Sequence, residues 1–283
     1  MEKLNRGTVA ELLKKLEAKV EGDVFTYYGE IGNGVERYVK DLIEALSKDP
    51  EKHDRLFVFL TTPGGSLMPV QRMVDIFRHF YKEVNFIVPD YAFSAGTILC
   101  MSGDNIYMNY YSTLGPIDPQ IQNKDGKLVA ALGYLDKINE LLQKAKNNEL
   151  SQAEFLILKD FDLAELRSYE QAKELAVDML KRWLTKYKFK DWVVHSDGIT
   201  PVTEQEKEAR AVEIAEKLSD NNRWKSHGYP IGIKTLTSDL KLKIIDYEKN
   251  QELNDIIAEY YDVLTEYILG HKFSLLLQTR LFL

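Results

Sequence analysis

The chain has 283 residues, 45% hydrophobic and 11% aromatic, which is enough to bury a core of one large or two small domains and excludes a disordered polypeptide. Its net charge of -7 and pI near 5.4 argue against nucleic acid as the main partner, because phosphate binding needs a concentrated basic surface. The single cysteine, Cys100, excludes an intramolecular disulfide and fits a reducing, cytoplasmic setting.

Residues 1–22 read as a charged amphipathic helical leader with Leu12, Leu13 and Leu16 between lysines and glutamates, unlike a signal peptide. No later segment has the length of a membrane span. From Val24 onward, short apolar runs alternate with amphipathic helices. Strands are expected at 24–28, 56–60, 84–88 and 105–108, with helices at 34–47, 67–81 and from Ser94 to about Met101. Strands apolar throughout, rather than alternating, belong to a parallel sheet covered by helices on both faces, so the core is α/β. Beyond residue 128 the pattern is helical, at 129–147 and 164–187. Thr203-Glu204-Gln205-Glu206 is a capping box that opens a helix ending near Leu218. Residues 247–269 carry an apolar stripe, including Leu253, Ile257, Tyr260 and Leu264, that must be buried against this chain or another copy. The apolar tail after Gly270 has no clear pattern. The expected organisation is a leader at 1–22, a domain at 23–235 and a helical C-terminal extension at 236–283.

Two strand-to-helix junctions carry chemistry. Thr62-Pro63-Gly64-Gly65 follows the second strand, and paired glycines there let backbone amides approach a phosphate or an oxyanion. The spacing fits neither a Walker A loop nor a dinucleotide fingerprint. Phe93-Ser94-Ala95-Gly96 follows the third strand. Ser94 at the mouth of a helix, between an aromatic and very small residues, suits a nucleophile, although an ordinary N-cap serine has the same local pattern. Both junctions lie at the carboxyl edge of the sheet, where α/β folds place ligands. Histidine and cysteine never occur at metal-ligand spacing, so neither metal nor cofactor is expected.

These motifs, TPGG, FSAGT and LGPIDPQ in that order, resemble the Clp-protease/crotonase superfamily, which includes the Clp proteolytic subunit and signal peptide peptidase A. Within it, residues 24–235 look most like the serine dehydrogenase proteinase family. The resemblance implies a Clp/crotonase-like sheet with surrounding helices, and a serine hydrolase, most simply a peptidase, acting on polypeptide. By the same resemblance Ser94 is the nucleophile, Gly64 and Gly65 with Ala95 form the oxyanion site, Asp118 is the orienting acid, and the assembly is a homo-oligomer. The base stays open. His53, His79 and His271 have ordinary surface positions, which leaves His227 in the SHGYPI stretch, His195 as the alternative, or a lysine such as Lys124, Lys127, Lys137 or Lys159. Two other classes stay open as well: a catalytically silent Clp-fold module that binds polypeptide or partners, and crotonase-like acyl-CoA chemistry.

Overall fold

The computed structural model describes residues 6–117, 120–122, 128–160 and 162–282. In chain order α1 (Arg6–Val20) leads into β1 (Asp23–Gly29), α2 (Val35–Ser47), β2 (Arg55–Thr61), α3 (Leu67–Phe80) and β3 (Glu83–Ile87). Next come β4 (Tyr91–Ala92), α4 (Ala95–Cys100), β5 (Asn105–Met108), β6 (Thr113–Leu114) and the hairpin β7 (Gln120–Gln122) and β8 (Leu128–Ala130). The helical half comprises α5 (Ala131–Lys146), α6 (Gln152–Lys159), α7 (Leu163–Trp183), α8 (Glu204–Leu218) and α9 (Asn221–Trp224). The chain closes through β9 (Ile231–Gly232), α10 (Ile233–Ser238), β10 (Ile245–Asp246), α11 (Gln251–His271) and β11 (Leu275–Gln278).

The central sheet has six strands in the order β10-β5-β3-β2-β1-β11, all parallel except β11, which runs antiparallel to β1. Side chains alternate across a strand, and here both sets are apolar. Phe25, Val58, Leu60 and Phe86 point into the larger core with α2, α3, α4, α7 and α8. Val24, Phe57, Phe59 and Ile87 point the other way, onto α1 and α11. That second layer accounts for the apolar stripe on 247–269. Leu253, Ile257, Tyr260, Leu264 and Ile268 are buried against the sheet and against Val9, Leu12, Leu13 and Leu16 of α1. The stripe is thus covered within the chain, because a parallel sheet needs helices on both faces and only the two chain ends remain to supply the second layer.

Residues 236–283, expected as a helical extension, also contribute β10 and β11, the two edge strands of the sheet. The tail that looked patternless pairs as β11 with β1, with Leu275 opposite Gly29 and Gln278 opposite Thr26. A buried ion cluster ties the ends together. Arg280 Nη1 lies 3.0 Å from Glu17 and 2.8 Å from Asp23, and Tyr81 Oη donates to Asp23 at 2.8 Å. Among the described residues no helix is long and apolar enough to cross a membrane.

Candidate active site

A second, three-stranded sheet in the order β4-β6-β9 builds the site. β4 runs parallel to β6, with Ala92 opposite Leu114, and β9 runs antiparallel to β6, with Ile231 opposite Leu114. The end of β4, the end of β6 and the start of β9 therefore lie side by side. Ser94 follows β4, the Gly115-Pro116-Ile117 segment follows β6, and His227 precedes β9. Strands of two residues leave no periodicity to read, so this element was invisible to the sequence.

Ser94 holds φ 52° and ψ -115° and makes no side-chain capping bond to α4. A positive φ on a serine costs energy that its surroundings must hold in place. Here Thr62 N–H donates to Tyr91 O and Phe93 N–H to Thr62 O, each at 3.0 Å, and Gly96 N–H donates to Phe93 O at 2.8 Å. The strained strand-to-helix turn lifts the hydroxyl out of the helix, as a nucleophile elbow does. Beside it, Gly64 (φ 102°) approaches so closely that a Cβ there would lie 2.8 Å from Ser94 Cβ.

The amides around Ser94 divide into engaged and free. Gly64 N–H donates to Thr62 Oγ1 at 3.0 Å. Ile31 N–H donates to Gly64 O at 2.7 Å and Ser66 N–H to Ile31 O at 2.9 Å, so the Gly65 N–H points away from Ile31. Neither the Gly65 nor the Ala95 N–H meets an acceptor among the described residues. Gly65 lines the cavity with Ser94, and Ala95 follows Ser94 in the chain, so these two unpaired amides are the candidates for an oxyanion site.

Ser94, Gly64, Gly65 and His227 line one cavity of about 600 Å³, with Ile31, Ile98, Ile117 and Leu175 as apolar walls and Glu30 as its one carboxylate among the described residues. His227 Nδ1 is buried without a hydrogen-bond partner among the described residues, and burial pulls the imidazole below its ordinary pKa of 6.5. No hydrogen bond joins Ser94 to His227 among the described residues, and such bonds are often long in unliganded sites. Asp118 lies outside the described residues, but the segment leading to it is clamped. Gly115 N–H donates to Thr97 Oγ1 of α4 at 2.9 Å, and Ile117 N–H donates to Leu218 O at 3.1 Å.

The other candidates lie elsewhere. His195 Nε2 sits 3.0 Å from Glu206 Oε1 and does not line this cavity. Lys137 pairs with Glu140 on the surface, Lys159 is exposed on α6, and Lys124 and Lys127 lie outside the described residues. Among the described residues no group of three His, Cys, Asp or Glu side chains is placed to hold a metal ion.

The model of the ClpP-like SDH-type serine proteinases matches residues 37–266. The chain belongs to this family. Two uncharacterised proteins of Methanocaldococcus jannaschii are similar to it. MJ0137 is 27% identical over 158 residues, 52% of this chain and 53% of that protein. MJ1495 is 23% identical over 228 residues, 81% of this chain and 62% of that protein. The chain thus spans between half and two thirds of the length of these relatives. Among solved structures, a membrane-bound stomatin-specific protease in complex with a substrate peptide has 13% identity and TM-score 0.46, covering 78% of this chain and 72% of its own. The ClpP protease catalytic domain from Plasmodium falciparum has 13% identity and TM-score 0.45, covering 87% and 93%. Family membership carries with it the ClpP-like α/β fold read from the sequence motifs.

Proposed function

We propose that this chain is a serine peptidase in which Ser94 attacks the scissile carbonyl, His227 accepts its proton and Asp118 orients the imidazole. The observation that supports the reading is the small β4-β6-β9 sheet, which sets the Ser94 turn, the Gly115-Pro116-Ile117 segment and the chain entering β9 after His227 side by side. The tetrahedral oxyanion is held by the Gly65 and Ala95 amides, neither of which meets another acceptor among the described residues. Gly64, its own amide engaged by Thr62, shapes the turn rather than donating. A neutral imidazole is what a general base requires, and the buried position of His227 favours that form.

The substrate is a polypeptide whose side chain beside the scissile bond enters the apolar part of the cavity. The protein acts in the cytoplasm, where its lone thiol, Cys100, stays reduced and buried. It assembles as a homo-oligomer. Support comes from α6, which leaves Phe155, Leu156 and Ile157 exposed. Covalent labelling by a fluorophosphonate probe tests the nucleophile. The parent is labelled at Ser94 and Ser94→Ala is not; labelling that persists in Ser94→Ala overturns the assignment.

A further inference from the structure

The amino-terminal edge of the central sheet holds a second cavity, of about 460 Å³, beside Asp104 and Asn105 at the start of β5. Its walls are the rings of Phe189 and Trp192, set edge to face with centroids 5.8 Å apart, and its charged lining is mostly basic: Lys188, Lys241, Lys243 and Arg210. In a chain of net charge -7 such a cation excess needs a reason.

Counting partners leaves the excess in place. Arg210 is committed to Glu213 and to Leu240 O. Asp104 is already neutralised by Arg78 at 2.7 Å and by Lys190 at 2.5 Å. Asp191, the other acid in the lining, makes no ion pair among the described residues. Lys241 and Lys243 have no carboxylate within ion-pair distance among the described residues, and Lys188 Nζ reaches only Asp104 O, at 3.4 Å. Lys188 and the exposed Lys241 and Lys243 thus share one cavity with Asp191 as the one acid not already paired among the described residues, an excess of positive charge that an entering anion would offset.

Two of the lysines come from irregular backbone. α7 ends in a π-helical turn at Leu184–Lys188, a feature that recurs at functional sites, and the turn delivers Lys188 to the cavity. Lys241 faces the same cavity from a left-handed backbone, φ 50°, which a lysine adopts at a cost. Burial, reinforced by the Lys243 ammonium, pushes Lys188 down to about 8, so a bound anion would draw in a proton above that pH.

We infer that this cavity is a binding site for a small organic anion, a phosphate or carboxylate held by Lys188, Lys241 and Lys243, whose flat body packs against Trp192 and Phe189. The site lies at the opposite edge of the sheet from Ser94 and does not depend on the peptidase reading.

Calorimetric titration of the intact chain with adenosine 5′-monophosphate and with benzoate tests it, with adenosine and benzyl alcohol as neutral controls and Trp192 fluorescence as a second readout. At least one anion should bind where its neutral control does not, and the one that binds distinguishes a phosphate from a carboxylate ligand. Lys188→Met and the exposed Lys243→Met should each weaken binding by about tenfold, and Trp192→Phe should remove the fluorescence change. Because Lys243 is exposed, its variant keeps the test decisive if Lys188→Met fails to fold. Absence of binding by both anions at millimolar concentration overturns the inference. So does equal binding by the neutral controls, or affinity unchanged in Lys243→Met.

Discussion

Replacing Gly65 by alanine separates the two jobs of the glycine loop. A Cβ on Gly65 would lie 2.4 Å from Ile31 O and 2.9 Å from Ile31 C, both backbone atoms, and Gly65 holds φ 142°. Neither the strand nor the loop can yield cheaply, because the Ile31 N–H to Gly64 O and Ser66 N–H to Ile31 O bonds, at 2.7 and 2.9 Å, fix one to the other. The strained backbone should cost about 1–3 kcal/mol of stability. Displacing the Gly65 amide from an oxyanion should cost about 10²–10³ in kcat on top of that. Gly32→Ala is the matched control, since Gly32 lines the same cavity and its added Cβ meets nothing within 4 Å. Chemical denaturation gives the first number and steady-state peptide hydrolysis the second. If Gly65→Ala is destabilised as expected yet keeps the parent kcat, the Gly65 amide is not an oxyanion donor and the loop serves only to fit the backbone beside Ile31.

Four further outcomes follow from the same geometry. His227→Ala and Asp118→Asn should each lower kcat/KM by about 10⁴, the double variant should be scarcely worse than either, and His195→Ala should be near the parent; additive losses would mean separate roles. A histidine base works only when neutral, and burial lowers the His227 pKa below 6.5, so with His227 in that proposed role activity should fall with decreasing pH along an acid limb centred below that value; a limb centred above it in the kcat/KM profile contradicts the proposal. Arg280→Met leaves Glu17 and Asp23 buried without their cation and should cost about 3–5 kcal/mol in urea unfolding at neutral pH, whereas a loss under about 1 kcal/mol would match a surface pair. Glu30 is exposed, and its carboxylate has no partner among the described residues. Glu30→Gln should therefore reduce kcat/KM about 2- to 5-fold for peptides carrying a basic residue near the scissile bond, with neutral peptides unaffected.

The long elements were legible because each carries its own signal. The run Arg55–Thr61 is apolar on both faces, and only a parallel strand inside two helical layers needs that. The Thr203 capping box predicts the start of α8 and is found with both reciprocal bonds made. What the stripe on α11 could not reveal was its cover. Periodicity identifies which face is apolar and carries no information about the surface opposite, here α1, more than 230 residues earlier in the chain. The three short strands fail for a different reason. β4, β6 and β9 have two residues each and exist only through pairing with one another and, for β4, with Thr62, so their definition is tertiary throughout.

The same distinction governs Ser94. From sequence, an N-cap serine and a nucleophile at a helix mouth are the same residue in the same place. They differ in backbone and in what the hydroxyl does. An N-cap serine sits in extended backbone and accepts from an amide of the first turn, as Ser151 does from Glu154 N–H at 3.2 Å with φ -73°. Ser94 has φ 52° and caps nothing. The six-residue helix α4 takes only a backbone bond from it, Ile98 N–H to Ser94 O at 3.2 Å, and nothing from the hydroxyl. The strain is held by Thr62, whose backbone bonds to both Tyr91 and Phe93 and whose side chain takes the Gly64 amide. One threonine thereby fixes the serine turn and the glycine loop together, engaging the Gly64 amide while the next one, on Gly65, meets no acceptor among the described residues.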